Sequence, residues 1–328
     1  MKDKKIVYYD SGTSNTRIYL LNEDFEVLFT EKKNVGSKDS AIAGSNNVLI
    51  DGMKELYDVL LQENELSDED ISEIYASGMV TSPYGLIEVP HLIIPITIKN
   101  FAESIYCHYE GKRFKRNIYL VPGIKTTGDD ISFINNMRGE EIEIIGTLDE
   151  LIKKCPDEKV AVIMPGSHTH IACIENDEIK DIISNFTGEL FYALKTATIL
   201  SPVLSVEAKE FNKEMILKGC ENLRRFGINR AIYICHAMRL FNNGDEISRL
   251  SYIEGVITGA VGNVLDYYCE NFWTGCETAA IVANEKMYEI YSTILSQSKF
   301  IKNIIWMPIS NKKSYAIDGL RKIINSKI

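Results

Sequence analysis

The stretch that decides the fold is YYDSGTSNTRIYL at residues 8–20. Two apolar runs flank a turn of small and polar residues at 10–15, and an acidic turn at 22–24 leads to a third apolar run at 25–29. Apolar runs rich in β-branched and aromatic residues, bounded by such turns, predict strands. Because the turns are tight, consecutive strands are expected to pair as an antiparallel meander.

A second stretch, VIMPGSHTHIACI at residues 162–174, repeats this order 154 residues later. Gly166 takes the place of Gly12, Ser167 takes the place of Thr13, and an acidic turn again follows. Chance is one explanation, because hairpins are common. The other is duplication of one α/β domain, with the two glycine turns facing each other across a cleft. The duplication predicts domains at 1–150 and 151–328.

Helical periodicity separates and follows the strand patterns, which favours an α/β fold class. Ser205 is a good helix N-cap residue and is expected to begin one of these helices. The predicted helices cover residues 49–63, 140–154 (ending in a turn at 155–157), 187–198, 205–225, 250–270, 285–296 and 314–325. Further strands are expected at residues 74–77, 160–164, 169–174, 179–183, 278–283 and 304–307.

Composition excludes several classes of function. The chain has 328 residues and a net charge of -10, so it would gain little from counterion release on nucleic acid. It has no run of about 18 apolar residues that would predict a membrane span. The seven cysteines include no C-x-x-C pair, and no secretory segment is recognisable at the N-terminus. We therefore expect a cytoplasmic protein with free thiols and no membrane or nucleic-acid partner.

The two glycine turns suggest phosphate chemistry. A Gly followed by Thr or Ser at a hairpin tip offers backbone N–H groups and a hydroxyl to phosphate oxygens. Asp10 stands at the end of a buried strand, where a carboxylate could hold Mg²⁺ through water. Arg17 could reach a phosphate or an anionic substrate. Either turn alone is weak evidence for a phosphate site, because a D-x-G hairpin is often only a turn.

Phosphoryl transfer to an alcohol also benefits from a carboxylate near the attacking hydroxyl. Glu140 and Glu141 follow Arg138 at the start of an apolar-periodic helix. One interpretation is that the two glutamates simply begin the helix, where negative charge is favourable. The other is that one of them is a base and that Arg138 binds a sugar-acid carboxylate. The sequence contains no Walker A loop, G-x-S-x-G elbow or G-x-G-x-x-G fingerprint.

Several motifs along the chain resemble, in the same order, those of the 2-dehydro-3-deoxygalactonokinase family of the actin-like ATPase superfamily. The two hairpin motifs resemble its first and second phosphate hairpins, and the remaining motifs resemble the segments between and after them. These remaining motifs are ASGMVTSPYGLIEVPHLIIP at 76–95, VPGI at 121–124, DD at 129–130, MRGEE at 137–141 and FTGELF at 186–191.

The resemblance implies two RNase H-like domains with ATP and Mg²⁺ in the central cleft. It implies phosphorylation of 2-dehydro-3-deoxy-D-galactonate at its terminal hydroxyl. By superfamily position Asp10 would serve the metal, and Glu140 would be the base with Glu141 as its rival. Nucleotide-binding residues would be Gly12, Thr13, Ser14, Asn15, Gly166, Ser167, His168, Ala283 and Asn284. Substrate-side residues would be Arg17, Ser82, Arg138 and Glu189.

Two other functions stay open at this point. The chain could phosphorylate a different 2-keto-3-deoxy acid or a related sugar. It could also be a nucleotide- or sugar-binding regulator that has lost turnover. A homodimer is open as well, because nothing in the sequence decides the oligomeric state.

Overall fold

The structure, a computed structural model, describes residues 4–155, 159–309 and 314–327. The turn predicted at 155–157 lies largely outside these residues. Contacts between Cα atoms divide the chain into two compact units. Unit 1 contains Met1–Glu150, Asp177–Ile179 and Ser314–Ile328, and unit 2 contains Leu151–Asn176 and Lys180–Lys313. The C-terminal segment from Ser314 is thus grouped with unit 1, whereas the sequence prediction placed it in the second domain.

The described residues form the following elements. The strands are β1 (Lys5–Ser11), β2 (Thr16–Leu21), β3 (Val27–Lys33), β4 (Ile71–Gly78), β5 (Leu92–Ile93), β6 (Ile96–Thr97), β7 (Tyr106–Glu110), β8 (Arg116–Leu120), β9 (Ile124–Lys125), β10 (Asn136–Met137), β11 (Val160–Met164), β12 (His168–Glu175), β13 (Glu178–Phe186), β14 (Thr278–Ala283) and β15 (Asn303–Pro308). The α-helices are α1 (Ser37–Ala43), α2 (Asn47–Glu63), α3 (Ile98–Ser104), α4 (Glu140–Lys154), α5 (Gly188–Ala197), α6 (Ser201–Leu204), α7 (Lys213–Phe226), α8 (Ile228–Leu240), α9 (Glu246–Asn271), α10 (Glu285–Leu295) and α11 (Tyr315–Asn325).

Unit 1 is built on a sheet with the strand order β3-β2-β1-β4-β8-β7. The first three strands form the predicted antiparallel meander, and β1 pairs with β4 in parallel. Apolar residues of β1 and β2 pack with α2, where the Tyr9 hydroxyl donates to the Met53 carbonyl oxygen at 2.8 Å. Helix α11 packs on α4 so closely that a Cβ on Gly146 would lie 1.9 Å from the Tyr315 oxygen.

Unit 2 repeats this strand order with β13-β12-β11-β14-β15. Here too the first three strands in sequence are adjacent, β11 pairs antiparallel with β12, and β11, β14 and β15 are parallel. The start of β13, through Glu178 and Ile179 of unit 1, pairs with β6. Both units therefore share one sheet topology, which confirms the duplicated α/β fold predicted from the 154-residue repeat.

Several predicted boundaries are wrong by more than one residue; α9, for example, begins at Glu246 and not at Leu250. Two of these differences have a cause that the structure shows. The third strand begins at Val27, not at Phe25, because Asn22 Oδ1 accepts hydrogen bonds from the N–H groups of Asp24 and Glu26 and extends the turn. Helix α7 begins at Lys213, not at Ser205. Its N-cap is Asn212, whose Oδ1 accepts from Met215 N at 3.2 Å.

Three helices of unit 2, α7, α8 and α9, pack together, and glycines allow the closest contacts. A Cβ on Gly255 of α9 would lie 2.0 Å from the Ile216 oxygen of α7. A Cβ on Gly219 of α7 would lie 2.2 Å from the Tyr252 oxygen of α9. The two helix backbones therefore touch, which explains the glycines of the α9 sequence.

Helix α9 also carries a buried acid, Glu254, which is only 6% exposed. Burial raises its pKa to about 7, although the charge of Lys286 acts in the opposite direction. A carboxyl whose pKa is higher in the folded than in the unfolded chain stabilises the fold below its unfolded pKa. That stabilisation is lost as the pH rises through the folded pKa.

We therefore expect Glu254→Gln to flatten the pH dependence of stability. Between pH 5 and pH 7 the free energy of unfolding of the wild type should fall by about 2 kcal/mol more than that of the variant. Urea unfolding at both pH values measures the difference. Glu285→Gln, at an exposed position on α10, is the control and should match the wild-type slope. Parallel slopes for Glu254→Gln and the wild type would contradict the assignment.

Among the residues described, no helix is both long and apolar enough to cross a membrane.

Candidate active site

The first hairpin joins β1 to β2 and presents an exposed tip. Gly12 N donates to the Asn15 carbonyl oxygen at 2.8 Å and closes the turn. In the described part of the chain no acceptor binds the N–H groups of Thr13 and Ser14, which are both exposed. Unpaired N–H groups at a tip are suited to binding an anion.

A glycine at the start of α1 supports this hairpin from behind. The N–H groups of Ser37 and Lys38 donate to the carbonyl oxygens of Gly12 and Thr13 at 3.3 and 3.0 Å. A Cβ on Gly36 would lie 2.3 Å from the Thr13 oxygen. The conformation of the hairpin tip therefore depends on the close approach of the start of α1, which only a glycine at position 36 allows.

Two more glycines bring the start of α4 to the end of β1. Gly78, with φ +81°, ends β4, and a Cβ there would lie 2.3 Å from the Ser11 oxygen. Gly139, with φ +120°, precedes α4, and its Cβ would lie 3.3 Å from the Gly78 Cα. Both φ values disfavour side chains. This contact places Glu140, the first residue of α4, beside the first hairpin.

The result is a group of charged side chains around Asp10. Arg17 lies opposite Asp10 in the antiparallel pair and is exposed. Burial and the negative charge of Glu140 raise the pKa of Asp10, while Arg17 lowers it. The structure thus brings together Asp10, Arg17 and Glu140, which the sequence analysis chose separately.

A third acid, Glu143, belongs to this group and was missed by the sequence analysis. It lies three residues after Glu140, on the same face of α4. Burial and the charges of Asp10 and Glu140 raise its pKa to about 8. The helical spacing from Glu140 was the signal that could have found it.

Glu141, the predicted rival of Glu140, is oriented differently. Its side chain is fully buried, and its Oε2 accepts from Gly139 N at 2.7 Å. Burial, with the neighbouring charge of Glu140, raises its pKa well above the usual value. Within the described residues its Oε1 has no partner. Glu140, by contrast, is partly exposed.

Two predicted substrate residues of unit 1 make internal hydrogen bonds. Ser82 is 3% exposed, and its hydroxyl donates to the Met79 oxygen at 2.7 Å. The Arg138 guanidinium donates to both oxygens of Thr81, to the Val89 oxygen and to His91 Nδ1. The pKa of His91 is lowered to about 4 by burial and by Arg138, so the ring is neutral at pH 7 and accepts this bond.

The second hairpin, in unit 2, is supported in the same way as the first. Gly166 and Ser167 are exposed, and a Cβ on Gly188 would lie 2.4 Å from the Gly166 oxygen. Glu189 N, at the start of α5, donates to the Ser167 oxygen at 2.8 Å. The Glu189 carboxylate also lies 3.4 Å from His168 Nε2. A predicted nucleotide residue and a predicted substrate residue are therefore direct partners.

Buried hydroxyls lie beneath this second hairpin and were also missed. Thr169 Oγ1 bonds Thr187 Oγ1 at 2.8 Å and also bonds the Tyr291 hydroxyl. Thr187 is the N-cap of α5, so this network joins the hairpin strand to the helix behind it. The two threonines are 18 residues apart, and no local sequence signal predicts the hydrogen bond between them.

The end of β14 has a structural role that the sequence did not reveal. Ala283 is 2% exposed, and its carbonyl oxygen accepts from Trp306 Nε1 at 2.9 Å. Asn284 is exposed, and its Oδ1 accepts from Met287 N at 3.0 Å. Asn284 is therefore the N-cap of α10, which explains why asparagine is suited to this position.

The model of the 2-keto-3-deoxy-galactonokinase family matches residues 10–323. The chain belongs to this family. A relative from Escherichia coli K12, a 2-dehydro-3-deoxygalactonokinase, is 24% identical over 201 residues, or 61% of this chain and 63% of its own length. The chain thus spans about three fifths of the length of the curated relatives that it matches.

Solved structures show that this chain has a known fold. A Sinorhizobium meliloti protein assigned as a 2-dehydro-3-deoxygalactonokinase matches with a TM-score of 0.74 and 20% identity, over 98% of this chain and 97% of that one. The activator of 2-hydroxyisocaproyl-CoA dehydratase from Clostridium difficile, solved with bound ADPNP, matches with a TM-score of 0.50 and 12% identity over 98% and 96% of the chains. These likenesses support the actin-like ATPase fold predicted for both units.

The acids around Asp10 are the candidates for holding a metal ion. No group of three or more His, Cys, Asp or Glu side chains in the described ranges is arranged to hold a metal ion. Mg²⁺, however, usually binds through one or two carboxylates, waters and substrate phosphates. Burial is the main cause of the raised pKa of Asp10, and the negative charge of Glu140 adds to it. Two neighbouring carboxylates are a donor set of the kind that Mg²⁺ uses, so these residues fit Mg²⁺ bound together with a phosphate.

Proposed function

We propose that the protein is an ATP-dependent sugar-acid kinase that phosphorylates the terminal hydroxyl of 2-dehydro-3-deoxy-D-galactonate. Family membership supports the reaction class, and the curated relative supports the substrate. The observation that carries the proposal is the meeting of Asp10, Arg17 and Glu140 beside an exposed hairpin with unpaired N–H groups. An anion-binding tip next to two carboxylates is what phosphoryl transfer to an alcohol requires.

We further propose that each hairpin binds phosphate groups of ATP. Thr13 and Ser14 would donate to phosphate oxygens in unit 1, and Ser167 and His168 would do so in unit 2. Asp10 would hold Mg²⁺, which neutralises the charge that develops on the transferred group. The bound ADPNP of the dehydratase activator supports a nucleotide on this fold. Asn284, at the end of β14, would lie toward the nucleoside.

Glu140 is the proposed base. The substrate hydroxyl would give its proton to the Glu140 carboxylate while its oxygen bonds the γ-phosphorus and ADP leaves with the cleaved bond's electrons. Glu140 is favoured over Glu141 because it is partly exposed, whereas Glu141 is buried and accepts from Gly139 N. Arg17 is the proposed partner of the substrate carboxylate or of a phosphate, because the residue is exposed beside Asp10. Its Nη1 also donates to the Tyr19 hydroxyl at 3.1 Å.

The experiment is an ADP-release assay with purified protein, Mg-ATP and a panel of sugar acids and neutral sugars. We expect turnover with 2-dehydro-3-deoxy-D-galactonate and a lower kcat/KM with its stereoisomers. A clear preference for another 2-keto-3-deoxy acid would keep the kinase and correct its substrate. Binding of ATP without ADP release on any acceptor would favour a regulator and reject the kinase.

The first hairpin gives a further prediction. Gly36→Ala should raise the KM for ATP at least about tenfold, because its Cβ must displace the Thr13 carbonyl and misplace the N–H groups at the tip. Initial rates at varied ATP concentration measure this effect. Gly111→Ala is the control, since its Cβ would lie 3.4 Å from the nearest atom, an ordinary contact in the turn between β7 and β8. An unchanged KM in Gly36→Ala would remove the first hairpin from nucleotide binding.

A further inference from the structure

We infer that Arg138 is a positioning residue for Glu140 and does not bind the substrate carboxylate. The inference rests on the proposed kinase function and replaces the sequence-based role of Arg138. It is carried by the hydrogen bonds of its guanidinium and by the place of Arg138, two residues before the proposed base.

The Arg138 guanidinium has no pair of parallel N–H groups left to bind a carboxylate. Arg138 Nη1 donates to Thr81 O, Thr81 Oγ1 and Val89 O. Nη2 donates to Val89 O at 3.2 Å and to His91 Nδ1 at 3.1 Å. Bidentate recognition needs two parallel N–H groups of one guanidinium. Because both terminal nitrogens are occupied by protein acceptors, only Nε–H remains.

The acceptors all belong to the segment that follows β4. This segment begins directly after Gly78, the last residue of β4, whose Cα lies against Gly139. Arg138 therefore fixes the chain before Gly139 to the residues after Gly78. Glu141 fixes the other side, since its carboxylate accepts from Gly139 N. Together the two side chains hold the peptide that begins α4, and so they set where the Glu140 carboxylate lies relative to Asp10.

Burial makes this arrangement costly to disturb. Arg138 is part-buried with its acceptors, and Thr81 is fully buried. Removing the guanidinium leaves the Val89 oxygen without its donor. The Thr81 oxygen loses one of two donors, because it also accepts from Val89 N at 3.0 Å. Lysine offers a point charge and cannot reproduce the fork. A substrate-binding arginine would behave differently, because lysine would keep part of the attraction for a carboxylate.

The test is steady-state kinetics of Arg138→Lys and Arg138→Met with the sugar acid that the wild type uses. We expect kcat to fall about 10²-fold in both variants, while the sugar-acid KM stays within about threefold of wild type. A rise of tenfold or more in the sugar-acid KM, with kcat retained and a smaller rise in the lysine variant, would overturn the inference and restore the substrate role.

Two further variants protect the test. If Arg138→Met fails to fold, Thr81→Val removes one acceptor and should lower kcat several-fold at unchanged KM; a KM effect alone would again overturn the inference. Arg116→Lys is the matched control, because Arg116 also donates to backbone oxygens, those of Asp68, Ile71 and Ser72. It should lower thermal stability and leave kcat unchanged. Absence of turnover by the wild type defeats the kinase proposal and this inference together, whereas a KM-only effect defeats the inference alone.

Discussion

Glu140→Gln is expected to lower kcat about a thousandfold while the affinity for ATP stays within about twofold of wild type. Glutamine keeps the size of the side chain but cannot take the proton of the attacking hydroxyl, and a positioned base contributes about 10²–10⁴-fold. The ATP affinity should persist, because the hairpin N–H groups and Asp10 are unchanged. Single-turnover kinetics and nucleotide titration measure the two quantities separately.

The chain offers a control for this variant one residue further along. Glu141→Gln makes the same chemical change at a fully buried side chain, and the amide oxygen of glutamine can still accept from Gly139 N. We expect a loss of less than about tenfold, because only the precision of the helix start is affected. If Glu141→Gln were the inactive variant and Glu140→Gln the active one, the roles of the two acids would be reversed.

The sequence was most informative where structure depends on neighbouring residues. The strands at 16–21, 160–164 and 278–283 have the predicted bounds, because their apolar runs end at strong turn signals. The repeat around Gly12 and Gly166 predicted two similar domains, and the shared strand order confirms it. Each hairpin motif contains the residues that form its turn, so the local sequence was sufficient to predict the hairpin.

Helix α7 was misplaced because its start depends on a distant contact. Ser205 and Asn212 are both good N-cap residues, so propensity does not choose between them. In the structure Asn212 N donates to Ser251 Oγ at 2.9 Å, which fixes Asn212 against α9. The choice is therefore made by packing between two helices, which is not visible in the local sequence.

In the candidate site, too, some features depend on the local sequence and others on distant contacts. The hairpin residues and Glu140 could be found from motifs, but the environment of Arg138 could not. Its acceptors lie 57 and 49 residues earlier in the chain, on a segment whose position depends on β4. An arginine beside two glutamates suggested a ligand for an anion, whereas the structure uses its donors to hold backbone oxygens.

Gly255→Ala is expected to lower the free energy of unfolding of unit 2 by about 3 kcal/mol or more. The added Cβ would lie 2.0 Å from the Ile216 carbonyl oxygen and 2.7 Å from its carbon, so a backbone and not a side-chain end has to move. Overpacking usually costs about 1–3 kcal/mol, and a contact between two helix backbones lies at the upper end. Urea unfolding followed by circular dichroism measures the change.

Gly262→Ala, on the same helix, separates this clash from the effect of replacing a glycine in a helix. Its Cβ would meet only the Cγ2 atom of Ile294, at 2.9 Å, and alanine favours the helix by about 0.8–1.0 kcal/mol. We therefore expect a change within about 1 kcal/mol of wild type. Equal losses in the two variants would mean that α7 and α9 do not meet at Gly255. A loss confined to Gly255→Ala would show that backbone contact is what the glycine at this position provides.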